Sequence, residues 1–407
     1  MTASPLTVVR RMWPSPLLGY SPVSPTAPSA LVVGAGVGGL AAAIATAEAG
    51  FDVEVLERAE LLSPIGAGLS VWPNGVRALR RLRVADWIDA GGTPFGDAGI
   101  HRGREGTLIA STSPEQLRAR YGEPIALVHR AELLGALIER LGAERVRLGS
   151  PVRSASADGT VRLESGEELR AEIVVGADGI DSAVRDSLLG DGPAEPSGIV
   201  AYRAVLGWGS ALPAGEYWGV GEVFGLVPLS DGRLYWYAAF REDEHDAREG
   251  PPPDPGQLLA RLRERFGSWA QPIPAVLQAT SPSALLRHPL RDRPPGKRWG
   301  AGRVTLLGDA AHPMLPFLGQ GACCALEDAV ALGESLIAAG EPERGLREYE
   351  RLRIPRARML VKRSRSAARA ALLARPFLAG LRDDLLGSTP AALRLRQLDR
   401  VIGSPLP

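Results

Sequence analysis

The run Gly34-Ala-Gly36-Val37-Gly38-Gly39 constrains this chain more than any other feature. It follows directly on Ala30-Leu-Val-Val33, an apolar stretch that reads as a short buried strand. It opens an Ala-rich segment, Leu40 to Ala49, that reads as a helix stopped by Gly50. Phe51 to Leu56 alternates and reads as a second strand, which completes a βαβ-like unit. In Gly34-x-Gly36-x-x-Gly39 the first glycine permits a tight turn. The second lets the backbone approach a pyrophosphate, and the third lets helix and strand pack closely. The helix N-terminus then faces the phosphates with free N–H groups and a partial positive charge. Glu57 ends the second strand, beside Arg58, and offers a carboxylate to a ribose hydroxyl pair. The bland alternative is a tight turn without a ligand. This unit serves NAD and FAD alike.

The rest of the composition narrows the setting. The chain has 407 residues, room for two domains or one large domain with an insertion. A net charge of +1 implies neither nucleic acid nor an acidic membrane surface. No run of eighteen apolar residues predicts a spanning helix. Arg10-Arg11 could open an export signal, but Pro14, Pro16, Pro22, Pro25 and Pro28 prevent a signal helix. Residues 1–29 therefore read as a disordered, Pro-rich extension. The two cysteines, Cys323 and Cys324, are neighbours and do not suit a disulfide, so a cytoplasmic setting is expected. The five histidines show no metal-ligand spacing, and no metal is expected.

Further strands are read at 146–148, 160–163, 173–175 and 304–307, with helices at 131–141 and 322–339. A hairpin is predicted from 221 to 240 around Ser230-Asp231-Gly232, and a surface loop at 250–256. From Glu341 on the chain is Arg- and Ala-rich and reads as helical, with the basic run Arg351 to Arg369 as a solvated face.

Two later glycine-rich strand ends decide between the cofactors. Val174-Val-Gly-Ala-Asp178-Gly179 leads into a helix start. Leu306-Leu-Gly308-Asp309-Ala-Ala-His312-Pro leads into Pro316-Phe-Leu-Gly319-Gln320-Gly321-Ala322. With the stretches Gly66 to Leu79 and Val128-His-Arg130, the chain from about 30 to 370 resembles the flavoprotein monooxygenases of the para-hydroxybenzoate and salicylate hydroxylase type.

The resemblance implies an α/β fold. It combines a Rossmann-like FAD-binding domain of the glutathione-reductase-2 type (30–75, 125–186, 300–340), an inserted mixed β-sheet substrate domain (76–124, 187–299) and C-terminal helices (341–407). It also implies site roles. Gly34, Gly36, Val37, Gly38 and Gly39 approach the FAD pyrophosphate; Glu57, with Arg58, holds the adenosine ribose. Gly68 contributes to the flavin site, and Arg130 contacts the cofactor from the sugar–phosphate side. Asp178 and Gly179 serve FAD and transient nicotinamide binding. Gly308 and Asp309 meet the ribityl–phosphate region, and Pro316, Gly319, Gln320, Gly321 and Ala322 wrap the flavin pyrimidine. The helix opening near Ala322 independently favours negative charge there. Alternatives are a helix N-cap for Asp309 and a surface charge for Arg130. His312 and both cysteines read as structural.

The middle region is aromatic-rich, and Tyr235-Trp236-Tyr237 puts the two tyrosines on one face of a strand. Arg203 interrupts an apolar strand and needs an anionic or carbonyl partner. Arg203 and Tyr237 are the catalytic candidates. The implied activity is an FAD-dependent monooxygenase that takes NAD(P)H and O₂. Through a flavin hydroperoxide it hydroxylates a small aromatic or heteroaromatic substrate, with FAD held non-covalently in a monomer or homodimer. Rival readings are an epoxidase or reductase acting on an isoprenoid or polyketide-type substrate, an NAD-dependent dehydrogenase, and a flavin-binding protein without turnover.

Overall fold

The computed structural model describes residues 27–403 except 63–67, 87, 89–97, 210–211, 213, 230–231 and 243–253. Most of the Pro-rich extension, Ser230-Asp231 of the expected turn and 250–253 of the expected loop lie outside the described residues.

The chain opens with β1 (Ser29–Val33), α1 (Val37–Glu48) and β2 (Asp52–Leu56). It continues through β3 (Gly68–Val71), α2 (Pro73–Arg81), β4 (Ala98–Arg102), β5 (Leu108–Thr112), α3 (Pro114–Tyr121), β6 (Ala126–His129), α4 (Arg130–Leu141) and β7 (Val146–Arg147). A small antiparallel sheet, β8 (Val152–Ala155), β9 (Thr160–Leu163) and β10 (Glu168–Arg170), precedes β11 (Ile173–Gly176) and α5 (Ala183–Leu189). Next come β12 (Glu195–Gly207), β13 (Gly215–Trp218), β14 (Glu222–Pro228), β15 (Arg233–Arg241), α6 (Pro255–Phe266), α7 (Ile273–Ala279), β16 (Leu286–Asp292) and β17 (Val304–Leu306). Four helices follow: α8 (Gly321–Ala339), α9 (Pro342–Ala371), α10 (Pro376–Ser388) and α11 (Ala391–Ile402).

The first sheet runs β17-β11-β1-β2-β7, with every pair parallel. Its strands β1 and β11 are apolar and buried over Ala30–Val33 and Ile173–Val175 because both faces are covered, as in parallel sheets. Val33 aligns with Gly176, and Gly176 with Leu306, so three strands end at one level. Helix α1 begins at Val37, three residues earlier than the alanine run suggested, and Gly36 is its N-cap. Glycines 38 and 39 carry no side chain to hold the first turn off the strand.

The second sheet runs β16-β12-β15-β14-β13-β4-β5, antiparallel except for β13–β4. Its alternation separates two faces. Trp236, Phe224 and Phe240 pack against Phe266 and the other apolar residues of α6 and α7. On the opposite face Ile199, Ala201, Val223, Ala239 and Leu290 meet Leu315 and the end of α9.

The basic run of α9 keeps the expected solvated face at Arg351, Lys362 and Arg369 but corrects it elsewhere. Arg353 is 5% exposed. Its Nε donates to Asp328 at 2.7 Å and its Nη2 to Glu327 at 2.7 Å. Arg356 also donates to Glu327, at 3.0 Å, and to the carbonyls of Arg400 and Val401. Arg365 pairs with Asp292. Helical spacing turned these cations toward acidic residues that lie far away in the sequence. His312 Nε2 lies 2.5 Å from Asp328 Oδ2 and donates to it, since the carboxylate is the acceptor. With Cys324 these residues bring three possible metal ligands within 4.8 Å, a grouping no sequence spacing announced. The Arg353 guanidinium already neutralises it, 2.7 Å from Asp328 and 3.6 Å from the Cys324 thiol. Both cysteines are buried and unbridged, and burial pushes the Cys323 thiol up to about 12.

Burial alone would raise the carboxyls of Glu327 and Asp328. Arg353 and Arg356 on Glu327, and His312 and Arg353 on Asp328, outweigh it and hold both below the usual range. Their contribution is therefore present above the ordinary carboxylate pKa and is lost as pH falls. We expect Arg353→Ala to lower the unfolding free energy by about 3–5 kcal/mol, read by denaturant titration. The wild-type advantage should shrink as the titration is repeated toward acid pH.

Candidate functional site

The three glycine-rich strand ends meet at the carboxyl edge of the first sheet. A Cβ on Gly34 (φ +102) would lie 2.5 Å from Ala177 O and 3.0 Å from the Asp178 Cα. A Cβ on Gly39 would lie 1.9 Å from Gly34 O. A Cβ on Gly38 would press on Leu307 at 2.9 Å and Ala325 at 3.1 Å. Around Gly36, by contrast, a Cβ would meet nothing within 4 Å. The outer glycines are thus demanded by packing, and Gly36 faces open space where an anion can reach the N-terminus of α1. Val37 is buried in the first turn.

Glu57 stands at the end of β2 with its carboxylate fixed by the Ala35 N–H (2.7 Å) and the Ala59 N–H (2.9 Å). Arg58 is exposed beside Asp181, whose carboxylate Arg291 holds at 2.7–2.8 Å. Asp178 accepts from Ser182 Oγ (2.5 Å) and the Val184 N–H (3.2 Å), so it anchors the start of α5. Burial raises its pKa against those hydrogen bonds. Gly179 makes the turn at φ +85.

Gly308 (φ +61) follows β17 and leads into a short 3-10 turn. Asp309 is exposed and accepts no hydrogen bond from a described residue, so it does not cap that turn. Its carboxylate lies 4.0 Å from where a Cβ on Gly321 would be, and Arg130, exposed at the start of α4, bears on it electrostatically. Pro316 is exposed, Gly319 is left-handed, and Gly321 begins α8 with Ala322 in its first turn.

Gln320 is 1% exposed, and its Oε1 accepts from Asn74 Nδ2 at 3.0 Å. Asn74 Nδ2 also donates to Glu327 at 2.7 Å. Three buried polar atoms near this loop have no partner: Gln320 Nε2, Asn74 Oδ1 and Trp72 Nε1. Trp72 Nε1 lies 2.7 Å from where a Cβ on Gly319 would be. Open space at Gly36, an unpartnered carboxylate at Asp309 and orphaned donors beside Gly319 together fit a large polar ligand such as FAD.

Gly68, on β3 of the two-stranded antiparallel sheet β3–β6, meets the second sheet. A Cβ there would lie 2.6 Å from the Tyr235 ring. On the same face as Tyr235 are Arg203 and Tyr237, which are register partners. Arg203 is half-buried and makes no hydrogen bond or ion pair with a described residue. The Tyr237 hydroxyl donates to Glu216 Oε1, and Trp218 Nε1 donates to Glu216 Oε2 at 2.9 Å. Burial first, and then Glu216, push the Tyr237 pKa well above its usual value, so it is a neutral phenol at ordinary pH. The sequence reading missed Glu216, and it took Trp218 only as one of the aromatic residues of the middle region. Their alternate positions in Glu216-Tyr217-Trp218 were the signal, but their neighbours came only with the sheet order.

Two glycine variants separate packing from ligand contact. Gly39→Ala should destabilise the apoprotein, seen as a lowered Tm, because its Cβ collides with backbone. Gly36→Ala should leave the apoprotein Tm unchanged and weaken FAD binding, measured by flavin fluorescence. Asp309→Ala should lower the FAD occupancy of purified protein.

The sequence matches the family described as FAD binding domain over residues 28–364. It is 36% identical to the aurachin C monooxygenase/isomerase of Stigmatella aurantiaca, covering 80% of this chain and 85% of that protein. It is 35% identical to an FAD-dependent urate hydroxylase of Klebsiella pneumoniae subsp. pneumoniae, covering 83% and 88%. The crystal structure of Klebsiella pneumoniae HpxO complexed with FAD and uric acid superposes with a TM-score of 0.86 at 30% identity, covering 93% of this chain and 98% of that one. The chain therefore belongs to the FAD binding domain family, and it is an FAD-dependent monooxygenase with the para-hydroxybenzoate/salicylate hydroxylase-type fold.

Proposed function

We propose that this enzyme hydroxylates a small planar aromatic or heteroaromatic compound that carries an anionic or carbonyl oxygen. The observation that carries this reading is Arg203, a half-buried guanidinium without a described partner on the aromatic face of the second sheet. A desolvated arginine in an apolar wall calls for an oxygen acceptor. Tyr235 and Tyr237, with ring centroids 5.9 Å apart, supply flat apolar surface beside it. Both kinds of contact suit a small oxygenated ring. That the FAD-dependent relatives include urate hydroxylases supports the same class.

When bound, FAD supplies hydride acceptance from NAD(P)H and activation of O₂. The chain's own residues then bind and orient. Backbone at Gly34, Gly36, Val37, Gly38 and Gly39 receives the pyrophosphate, and Glu57, next to Arg58, takes the ribose. Arg130 and Asp309 flank the sugar–phosphate part beyond Gly308. The loop from Pro316 through Gly319, Gln320, Gly321 and Ala322 faces the flavin, with the α8 N-terminus favouring negative charge there. Gly68 seats the second sheet against the flavin side. Asp178 and Gly179 shape the strand end between the two halves of the site. Arg203 holds the substrate oxygen, and Tyr237 presents a neutral hydroxyl beside it. The wall of Ile199, Val223 and Leu290 excludes water. We assign the FAD-binding domain to 30–75, 125–186 and 300–340, and the substrate domain to 76–124 and 187–299. We place the enzyme in the cytoplasm as a monomer or homodimer; no described helix is long and apolar enough to cross a membrane.

A panel of phenols and heteroaromatic acids, uric acid included, tests the reading. A substrate should stimulate NAD(P)H oxidation and gain one oxygen atom by mass. No stimulation by any ring compound would overturn it. For an accepted substrate, Arg203→Gln should cost about 1.4–2.7 kcal/mol in kcat/KM, roughly ten- to a hundredfold, while FAD occupancy is retained.

A further inference from the structure

We propose that Glu216 is the proton acceptor of the substrate pocket and takes a ring-hydroxyl proton from the substrate through Tyr237. The inference rests on the hydroxylation reading above. Its geometry is a path across three strands. Gly225 of β14 is the register partner of Tyr237 on β15 and of Glu216 on β13. A Cβ on Gly225 would lie 2.1 Å from Tyr237 Cζ. Only a glycine there lets the Tyr237 ring lie across β14 and deliver its hydroxyl to Glu216. The opposite register neighbour of Tyr237 is Arg203. Tyr237 thus stands on the strand between Arg203, which bears on it electrostatically, and the strands that carry Gly225 and Glu216.

Glu216 has an uncommon set of partners for a half-buried carboxylate. Among the described residues both are neutral donors, Tyr237 and Trp218. The charged and titratable groups around it are committed elsewhere or stand apart. Arg102 on β4 pairs with Asp383 and Asp384. Arg382 on α10 lies over the Trp218 ring, 4.9 Å from its centroid, and donates to Asp383 and the Ala371 carbonyl. Arg203 on β12 bears electrostatically on Tyr235, Tyr237 and His288, and it pairs with none of the described acids. The strands on either side offer Glu216 only Gly225 and Ile100 as register partners. A carboxylate without a cationic partner among the described residues, behind a hydrogen-bonded phenol, is a proton acceptor with a built relay.

In the step, the substrate O–H bond breaks and its proton bonds to Tyr237 Oη. The proton that Tyr237 held passes to Glu216 Oε1. The substrate becomes an anion facing Arg203, Glu216 becomes a neutral acid, and Tyr237 is unchanged. No electron is transferred, and no proton enters or leaves the site. The negative oxygen enriches the ring for attack on an electrophilic oxygen. Tyr237 stays protonated before and after, in keeping with the burial that opposes its ionisation.

The test uses FAD-loaded enzyme and 4-nitrophenol, whose phenolate absorbs in the visible. In the wild type the proton moves internally, so the bound phenolate fraction should stay flat across the mildly acidic range. In Glu216→Gln, which keeps the shape but trades one acceptor oxygen for an N–H donor, the proton must leave to bulk water, so phenolate should fall about tenfold per pH unit. Tyr237→Phe should give the same slope, and Glu216→Asp should partly restore the flat profile. With a hydroxylated-ring substrate found by the panel, the kcat/KM profile of Glu216→Gln should gain the same acid limb. A wild type that binds nitrophenol only as the protonated phenol, or not at all, would overturn the inference, as would a Gln variant with the wild-type profile. Panel activity that survives these outcomes leaves the hydroxylation reading standing, so the two failures can be told apart.

Discussion

Arg353 holds the back of the flavin-side architecture together. It reaches from α9 to two successive acids of α8, Glu327 and Asp328, at 2.7 Å each. Removing it would leave two buried carboxylates with less than their counter-charge, which is far costlier than losing a surface pair. The same acids tie in other elements. Glu327 receives Asn74 from α2 and Arg356, which in turn holds the carbonyls at the end of α11. Asp328 receives His312 from the loop after β17. Asn74 then passes to Gln320, at the head of α8. One ion cluster thus sets where the glycine-rich loop 319–321 stands.

The front of the site depends on the opposite kind of constraint, the absence of atoms. Gly34, Gly38 and Gly39 are places where a methyl group would strike backbone or core. They bring β1, β11, β17 and α1 close enough for three loops to share one edge. Gly225 does the same on the second sheet, where it gives the Tyr237 ring its passage. Charge fixes the rear of the enzyme, and missing side chains open its working face. The second sheet is met by the β3–β6 pair, where Tyr235 lies on Gly68, and by the loop after β17, where Leu315 packs with Ile199, Ala201 and Leu290.

The chain by itself determined the opening βαβ unit and the glycine-rich strand ends. The βαβ unit and the strand-end motifs at 176–179 and 306–309 are local, because each glycine's role follows from the turn it makes. The strict period of two in Tyr235-Trp236-Tyr237 separated the two faces of the strand without any knowledge of the neighbours. Arg203 was conspicuous because an arginine in an apolar strand is expensive wherever that strand lies. The tertiary structure decided everything that depends on long-range pairing. It buried Arg353 and Arg356 in a run that reads as a solvated face, since local spacing cannot say which helix will supply the acids. It also placed Glu216 two strands from Tyr237 with Gly225 between them. Sheet order is set by packing among segments distant in sequence, and no periodicity within one strand carries it.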